Sequence, residues 1–174
     1  ANDLNLTSLE ELKTRSGELS ITFGSESSTS GHLMPRHFLK AAGIEADVDF
    51  AIPSNFSGSH DLTWQLVESG SFDIGALNED VWDRAVEEQK VDTSLVDAFY
   101  TTPGYYDYNW TVRSGLDEVY GDGFTVKFQK ALLKLNTEAH GGILDLFSTD
   151  KFVPTENSNY DAIELVARDL KIIQ

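Results

Sequence analysis

The chain has 174 residues, which is enough for one ordinary domain or two small lobes. Its 40% apolar and 11% aromatic content excludes a disordered chain, and the absence of cysteine excludes disulfides, thiolate nucleophiles and cysteine-based zinc sites. A formal net charge of −16 argues against nucleic acid and anionic membrane surfaces as partners.

The first predicted element is a short helix near the start of the chain. Leu9 and Leu12 give this helix an apolar face. Thr7 or Ser8 precedes two glutamates, a pattern that is typical of a helix N-cap. We therefore expect the helix to begin directly after this pair.

The next stretch, Ser20–Ala42, predicts a strand, a tight turn and a helix. Ile21–Phe23 are β-formers, and Gly24 ends the run. Small hydroxyl residues fill Ser25–Ser30 before a helical pattern begins at Gly31. Hydroxyl groups at a helix start satisfy unpaired N–H groups, and those N–H groups together with the helix dipole can also bind an anion. The turn is therefore either a rich helix cap or an anion-binding loop.

Strands and helices alternate from this stretch to Tyr100. Predicted strands cover residues 47–52, 72–77 and 95–100, and predicted helices cover His60–Ser69 and Glu79–Gln89. In the first of these helices Leu62, Leu66 and Val67 are expected to point inward. Such an alternation implies an α/β fold with a mostly parallel sheet flanked by helices on both faces.

Polar clusters follow three of the predicted strands. In parallel α/β sheets, ligands bind beyond the carboxyl ends of the strands, where the helices begin. For each cluster the alternative is an ordinary helix cap, and a histidine at a helix start is commonly a surface residue. The candidate ligand-binding residues at these three places are Ser28, Thr29, Ser30, Gly31, Ser59, His60, Asn78 and Asp80.

The chain changes character after Tyr100. Turn formers and aromatic residues fill 101–110, as expected for a hinge or a crossover lined with rings. One more strand is predicted over 110–113, followed by a helix over Phe124–Ala139 that Gly141 and Gly142 stop, a short piece over 144–147 and a helix over Tyr160–Leu170. The apolar faces of these helices need a sheet to cover, which suggests that a partner segment is missing.

Four ordered motifs stand out along the chain: Phe23–Pro35, Gly58–Asp61, Gly75–Asn78 with Trp82, and Asp107–Arg113. In order and spacing they resemble the motifs of periplasmic phosphonate- and phosphite-binding proteins, the solute receptors of bacterial ABC importers. The resemblance extends from Leu6 to Leu170.

This resemblance implies a type II periplasmic binding protein-like fold, in which two α/β lobes joined by two crossings close on the ligand. Residues 1–103 would form the second lobe, which carries the anion-binding loop. Residues 104–174 would form the crossover and a C-terminal helical segment that completes the first lobe. The chain opens at Ala1, and we expect it to be a fragment that lacks the opening part of that lobe.

The resemblance also implies roles for individual residues. The anion cradle falls on residues 28–30, with backbone N–H groups from Thr29 to Gly31. The site histidine falls on His60, and an acid after the next strand falls on Asp80 or Glu79. At the second crossing the resemblance implies that Asp107 is the site acid, and Tyr106 beside it is a further candidate.

The crossing departs from the pattern of the family, which commonly has Pro-Asn-Asp-Pro-like residues here. This chain has Tyr-Tyr-Asp-Tyr-Asn-Trp at Tyr105–Trp110, a form closer to a branch named for selenate binding. The ligand therefore stays open among phosphonate, phosphite, phosphate, selenate and other oxyanions.

The expected function is that of a periplasmic or extracellular bacterial receptor that captures a tetrahedral oxyanion for an ABC importer. Its partners would be the oxyanion, the permease subunits and the missing first-lobe segment, without nucleic acid, cofactor or metal. No catalytic residue is assigned, because Gly-x-Ser-x-Gly and Gly-Lys-Ser/Thr motifs are absent from the sequence. The alternative is an extracytoplasmic sensory domain of the same fold.

Overall fold

A computed structural model describes residues 4–174. Contacts between residues divide the chain into two units. The first unit contains the chain up to Asp107 together with Tyr160–Gln174, and the second unit is Tyr108–Asn159. The predicted lobes, 1–103 and 104–174, divide the chain where it is expected to cross from one lobe to the other, whereas the two units are divided by contacts. The lobes therefore stay a prediction.

The first unit contains a parallel sheet of three short strands. The strands are β1 (Ile21–Phe23), β2 (Asn55–Phe56) and β3 (Ile74–Gly75), and their spatial order is β2-β1-β3. Thr22 on the central strand pairs with Asn55 on one side and with Gly75 on the other. The predicted α/β class with a parallel sheet is confirmed, although the strands are shorter than the sequence pattern suggested.

The described part of the chain contains eight α-helices. A π-helical turn at Thr29–Leu33 leads directly into the helix that begins at Met34. The helices are α1 (Leu9–Arg15), α2 (Met34–Ala41), α3 (His60–Glu68), α4 (Glu79–Glu87), α5 (Leu116–Tyr120), α6 (Phe124–Leu132), α7 (Thr137–Leu144) and α8 (Asp161–Asp169).

The first helix begins where the cap pattern predicts. The Ser8 hydroxyl accepts from the Glu11 N–H at 3.2 Å, and the Glu11 carboxylate accepts from the Thr7 N–H at 2.8 Å. These reciprocal bonds satisfy N–H groups at the helix start that have no partner within the helix. The predicted N-cap is therefore confirmed.

The sheet is covered on both faces. On one face the buried side chains of Ile21 and Phe23 pack with Leu12 of α1 and Leu39 of α2. On the other face α3 approaches β3 so closely that a β-carbon at Gly75 would lie 2.6 Å from a methyl group of Thr63. The absence of a side chain at position 75 is what permits this close packing.

The last helix, α8, packs against the start of α2. Val166 and Ala167 are buried against Leu33, and Ile163 and Leu170 pack at the edge of this cluster. These four side chains recur at helical spacing and form the apolar face of the helix predicted over Tyr160–Leu170. An exposed ion pair between α2 and α8 adds little to the free energy of folding.

The second unit contains α5, α6 and α7 and has very little core. Among residues 108–159, all of which the structure describes, Leu144 is the only apolar side chain that is fully buried. The Asp117 carboxylate accepts from backbone N–H groups of Gly123 and Thr125 and so caps α6. Aromatic rings contact one another along the unit, with Trp110 beside Phe147 at 5.8 Å.

Three predicted strands are wrong: residues 47–52, 95–100 and 110–113 form turns or irregular segments. In the first case the Asp49 carboxylate accepts from the Glu45 N–H, and the Asp49 N–H donates to the Glu45 carbonyl. A turn therefore replaces the strand. The strand lies later, at 55–56. In the second case the segment lines the same pocket as β3, and it pairs with none of the described strands.

The long helix predicted over 124–139 is also wrong in its bounds. α6 ends at Leu132, and α7 begins at Thr137 because the Asn136 side chain accepts from the Ala139 N–H at 3.0 Å. α7 is broken at His140, whose φ of −137° and ψ of 20° are not helical, directly before Gly141 and Gly142, which were expected to stop the helix; a further helical turn follows to Leu144. In α3, Leu62 is 47% exposed, whereas Trp64 and Val67 are buried.

Candidate functional site

The hydroxyl-rich turn after β1 forms the first turn of a helical segment. Ser28 is its N-cap, and the Ser28 hydroxyl accepts from the Gly31 N–H at 3.0 Å. The Ser28 carbonyl accepts from both the His32 and Leu33 N–H groups, which opens the turn to the wider π-helical form. Thr29 and Ser30 stand in the first turn, where N–H groups have no preceding helical carbonyl to bond.

Glycines bring this turn against the neighbouring loops. The Gly24 N–H donates to the Gly31 carbonyl at 2.8 Å, and the Gly58 N–H donates to the Gly24 carbonyl at 3.1 Å. A β-carbon at position 31 would lie 2.9 Å from the Ser28 hydroxyl oxygen and 3.0 Å from His60 Cε1. Gly31 therefore lies within contact distance of both Ser28 and His60.

His60 is the first residue of α3, and its ring also reaches the loop after β3. Its Nδ1 accepts from the Asn78 N–H at 3.2 Å. Because this nitrogen is an acceptor, the neutral ring carries its proton on Nε2, which can donate to a ligand. Burial lowers the pKa of His60, while the nearby carboxylates of Asp61 and Asp107 oppose that shift.

The other polar candidates partly serve as helix caps. The Ser59 hydroxyl accepts from the Leu62 N–H at 3.2 Å, and the Asn78 side chain accepts from the Val81 N–H at 3.1 Å. Asp80 is exposed in the first turn of α4. Capping therefore occupies one acceptor of Ser59 and one of Asn78 and leaves the hydroxyl and amide donors of these side chains.

A pocket of about 450 Å³ lies beside this cluster, within the first unit. Its walls come from α1, from β3 and the loop after it, and from the segment 96–105. Among the predicted site residues, Ser30, Asn78, Asp80 and Asp107 line this pocket. The others, Ser28, Thr29, Gly31, Ser59, His60 and Tyr106, are not part of its wall.

The crossover segment supplies an acid and an aromatic ring to the pocket. Burial raises the pKa of Asp107, and the charge of His60 opposes this rise, so the two side chains interact across the cluster. Tyr106 is directed elsewhere, with its ring 6.1 Å from that of Tyr160. Tyr105 lines the pocket and packs on Phe38 at 6.4 Å. Sequence reasoning missed Tyr105 because nothing distinguishes two adjacent tyrosines before their backbone is placed.

The arrangement suits the binding of an anion by neutral donors. Hydroxyl groups, backbone N–H groups and one imidazole N–H converge from three loops at the carboxyl edge of a parallel sheet. Within residues 4–174, no group of three or more His, Cys, Asp or Glu side chains is arranged to hold a metal ion. No helix in the same range has the length and apolar character needed to cross a bilayer.

A sheet edge of this kind, with convergent donors and an adjoining pocket, is typical of ligand-binding α/β proteins. Residues 1–160 match the profile of the family described as the periplasmic phosphonate substrate-binding protein of ABC transporters. The chain belongs to this family. Its members are periplasmic binding proteins rather than enzymes, which confirms the class of protein and the location that the motifs predicted.

Individual relatives agree with this assignment. The chain is 41% identical over 172 residues to a protein of Prochlorococcus marinus (strain MIT 9301) described as the probable ABC transporter phosphite binding protein PhnD1. The alignment covers 98% of this chain and 57% of that protein. The chain thus spans a little more than half the length of this relative.

Solved structures show the same fold. PhnD1 from Prochlorococcus marinus (MIT 9301), in complex with methylphosphonate, matches with a TM-score of 0.77 and 40% identity over 97% of this chain and 62% of that chain. A binding protein component of an ABC phosphonate transporter from Pseudomonas aeruginosa matches with a TM-score of 0.64. That match covers 98% of this chain and 55% of the other, and at 17% identity it concerns the fold alone.

Proposed function

We propose that this chain is the anion-binding part of a solute-binding receptor of an ABC importer. Its ligand is a tetrahedral oxyanion of the phosphonate or phosphite type. The observation that carries the proposal is the contact of the Ser28–Gly31 turn with His60, whose Nδ1 is occupied by Asn78. The names of the relatives support the ligand class, since PhnD1 is described as phosphite-binding and its structure contains methylphosphonate.

The donors in this cluster match the needs of a desolvated anion. An oxyanion that leaves water requires several hydrogen bonds at once, because an unpaired buried charge is costly. The turn at 28–31 offers hydroxyl groups and first-turn N–H groups, and His60 offers its Nε2–H. Ser59 and Asn78 lie next to His60 and can contribute further donors from the neighbouring loops.

Two carboxylates near the cluster bear on ligand choice. Asp107 is half-buried and close enough to His60 for their charges to interact, and Asp80 lines the same pocket as Asp107. A carboxylate beside a bound oxyanion repels a dianion and accepts a hydrogen bond from a protonated oxygen. The receptor should therefore prefer a singly protonated phosphonate or phosphite, or a ligand that carries its own amine.

We also propose the two-lobe organisation that the resemblance implies, with 1–103 as the second lobe and 104–174 as the crossover and the end of the first. The near absence of buried side chains in 108–159 supports it, since amphipathic helices need a partner. In this proposal a first-lobe segment and the permease subunits are the protein partners.

Calorimetry on the two-lobe receptor tests the proposal with methylphosphonate, phosphite, phosphate and selenate as ligands. Ser28→Ala and His60→Ala should each weaken binding of the preferred oxyanion by about 1–3 kcal/mol, the cost of leaving a charged acceptor without its donor. Ser69→Ala and His37→Ala, which change residues away from the cluster, serve as matched controls. Absence of binding to all four anions, or equal losses in test and control variants, would contradict the proposal.

The role of Asp107 is tested by a change in ligand preference. Asp107→Asn removes the charge and keeps the shape, so the affinity for dianions should rise relative to that for singly protonated oxyanions. The ratio of dissociation constants for selenate and methylphosphonate at one pH reports this change. An unchanged ratio would place Asp107 outside the site.

A further inference from the structure

The residue that follows the candidate cradle, His32, is buried and makes hydrogen bonds with both ring nitrogens. It is 3% exposed, and its Nδ1 lies 2.6 Å from the Glu26 carbonyl oxygen. Its Nε2 lies 3.0 Å from Arg36 Nε, which can only donate because the guanidinium is permanently protonated. Nε2 is therefore the acceptor, and the neutral ring carries its proton on Nδ1 and donates to Glu26.

Arg36 is itself held from two sides. Its two terminal nitrogens donate to the Asp47 carboxylate at 2.6 and 3.1 Å, and its guanidinium lies 5.2 Å from the centre of the Phe23 ring. Such a bidentate pair fixes the plane of the guanidinium. The Arg36 side chain is 12% exposed and Asp47 61%, so a chain of bonds runs from the surface to the loop at residue 26.

Aromatic rings fix the position of the His32 ring. Phe23 at the end of β1 lies 5.0 Å from it, and Phe56 at the end of β2 meets it edge-on at 4.7 Å. Phe56 directly precedes the loop that leads to Ser59 and His60. His32 therefore lies between the two loops that supply the candidate donors.

We propose that His32, Arg36 and Asp47 are positioning residues, which hold the loop at 26–31 in the conformation that presents its donors to the oxyanion. This inference rests on the proposed function for its ligand but not for its geometry. His32 touches no ligand in this view. It ties the start of the loop, at the Glu26 carbonyl, to the end of the loop at its own backbone.

The charged groups that face His32 make the arrangement sensitive to acid. They are Arg36 from α2, Asp47 from the segment after α2 and Glu26 from the loop itself, while Phe23 and Phe56 are apolar. A second proton would place an Nε2–H against the Nε–H of Arg36, so that two donors face each other and the bond to Arg36 is lost. Burial lowers the pKa of His32 and the charge of Arg36 lowers it further, whereas the hydrogen bond to the Glu26 carbonyl and the charge of Asp47 raise it.

Two substitutions that break the same ion pair should move the titration of His32 in opposite directions. Arg36→Met removes a cation, so the pKa of His32 should rise above that in the unmodified protein. Asp47→Asn leaves the cation and removes its counter-charge, so the pKa should fall. If the Arg36–Asp47 pair did not face the His32 ring, neither variant would move the midpoint. Imidazole NMR of the two-lobe receptor, with histidine labelled, measures each midpoint without any ligand.

A second comparison tests the link to the cradle. His32→Asn keeps an N–H at the place of Nδ1 and should bind methylphosphonate within about threefold of the unmodified receptor, whereas His32→Leu should lose about tenfold or more. Circular dichroism confirms that both variants fold. Equal losses in the two variants would overturn the inference, and so would backbone amide signals of residues 29–31 that do not follow the His32 titration.

These readouts separate the inference from the proposed function. If the receptor binds no oxyanion but the His32 midpoints shift in opposite directions and the amides of 29–31 follow them, the inference stands and the proposed function fails. If binding is normal while both midpoints move together, the proposed function stands and the inference is overturned.

Discussion

The two units of the chain contain similar amphipathic helices but differ in what those helices cover. In the first unit, helices pack on both faces of a parallel sheet, and Phe23 and Leu12 are almost completely buried. In the second unit, Leu144 is the single fully buried apolar side chain of residues 108–159, while Leu146 beside it is 80% exposed. Helix content alone therefore does not make a core.

The two units differ in the kind of contact that stabilises them. The second unit relies on local contacts, such as the caps at Asp117 and Asn136 and rings stacked one turn apart at Phe124 and Phe128. Each local contact contributes a few tenths of a kcal/mol to about 1 kcal/mol. Burial of one large side chain contributes about 1.5–3 kcal/mol. The first unit should therefore carry most of the stability of the chain.

The largest expected effect comes from the core of the first unit. Phe23→Ala should lower the free energy of unfolding by about 3–5 kcal/mol, since it leaves a cavity under a fully buried ring. Phe147→Ala, at a ring of the second unit that is 47% exposed, should lower it by less than about 1 kcal/mol. Urea denaturation followed by circular dichroism measures both, and similar losses would remove the contrast between the units.

A smaller effect is expected from the glycine at the cradle. Gly31→Ala would push a methyl group to 2.9 Å from the Ser28 hydroxyl and 3.0 Å from His60, so one of them must move. We expect methylphosphonate affinity of the two-lobe receptor to fall about tenfold or more, which is about 1.4 kcal/mol. Gly17→Ala, where the nearest atom is 4.0 Å away, is the control. Unchanged calorimetric affinity in Gly31→Ala would show that the turn has room to spare.

The pH dependence of stability should also differ between the units. Burial lowers the pKa of His32 and His60, so the stability that they contribute is present above their unfolded pKa of about 6.5 and is lost as pH falls through the folded values. Hydrogen bonds from Thr125 lower the pKa of Asp117 in the second unit, so its contribution is lost only below about pH 4. Asp107 acts in the opposite sense, because its raised pKa costs stability as pH rises.

Amide hydrogen exchange at about pH 7, 5.5 and 3 measures this difference for each unit separately. Protection in β1 should decline between the first two values, while that in α6 should decline only at the last. A decline in both units over the same pH interval would contradict the assignment of the early loss to His32 and His60 and of the late loss to Asp117. His60→Asn should reduce the early decline, which identifies its source.

The smallest effect is a gain in the second unit. Gly142 lies in the helical turn of α7 that follows the break at His140, with no atom near the place of its missing β-carbon. Gly142→Ala should stabilise the helix by about 0.5–1 kcal/mol, because alanine loses less backbone entropy on folding. A rise in the thermal midpoint of α7, read by NMR, is the expected result, and a fall would mean that position 142 touches a neighbour after all.

Much of the first unit could be predicted from sequence, because its signals are local. The cap at Ser8, the strand at 21–23 and the helix at 60–68 each follow from residues within a few positions. The strand expected over 47–52 failed because the side chain of Asp49 forms a turn with Glu45, and the pattern of alternating residues contains no sign of that bond.

The candidate site was only partly predictable. The hydroxyl turn and His60 stand out as residue types at strand ends, but the closeness of Gly31 to both depends on how three loops pack. The bond between Arg36 and His32 has the spacing of one helical turn, yet its importance comes from Asp47, eleven residues further on, and from a carbonyl at residue 26. Asp47 could not be chosen among the many acids of the chain, nor the carbonyl at residue 26 among the backbone carbonyls, before the loops are placed.

Among the described residues, the wall of the pocket beside the cradle contains no lysine or arginine, and the chain carries a net charge of −16. The charge of this chain therefore repels an approaching anion, and under the proposed function the ligand would be held by short hydrogen bonds. Dissolved ions shorten the reach of that repulsion from about 10 Å at 0.1 M to about 3 Å at 1 M while leaving short hydrogen bonds intact. Under the proposed function, capture of the oxyanion should thus become faster as the ionic strength rises from about 0.1 to 1 M, the reverse of what a lysine-lined receptor would show in stopped-flow measurements.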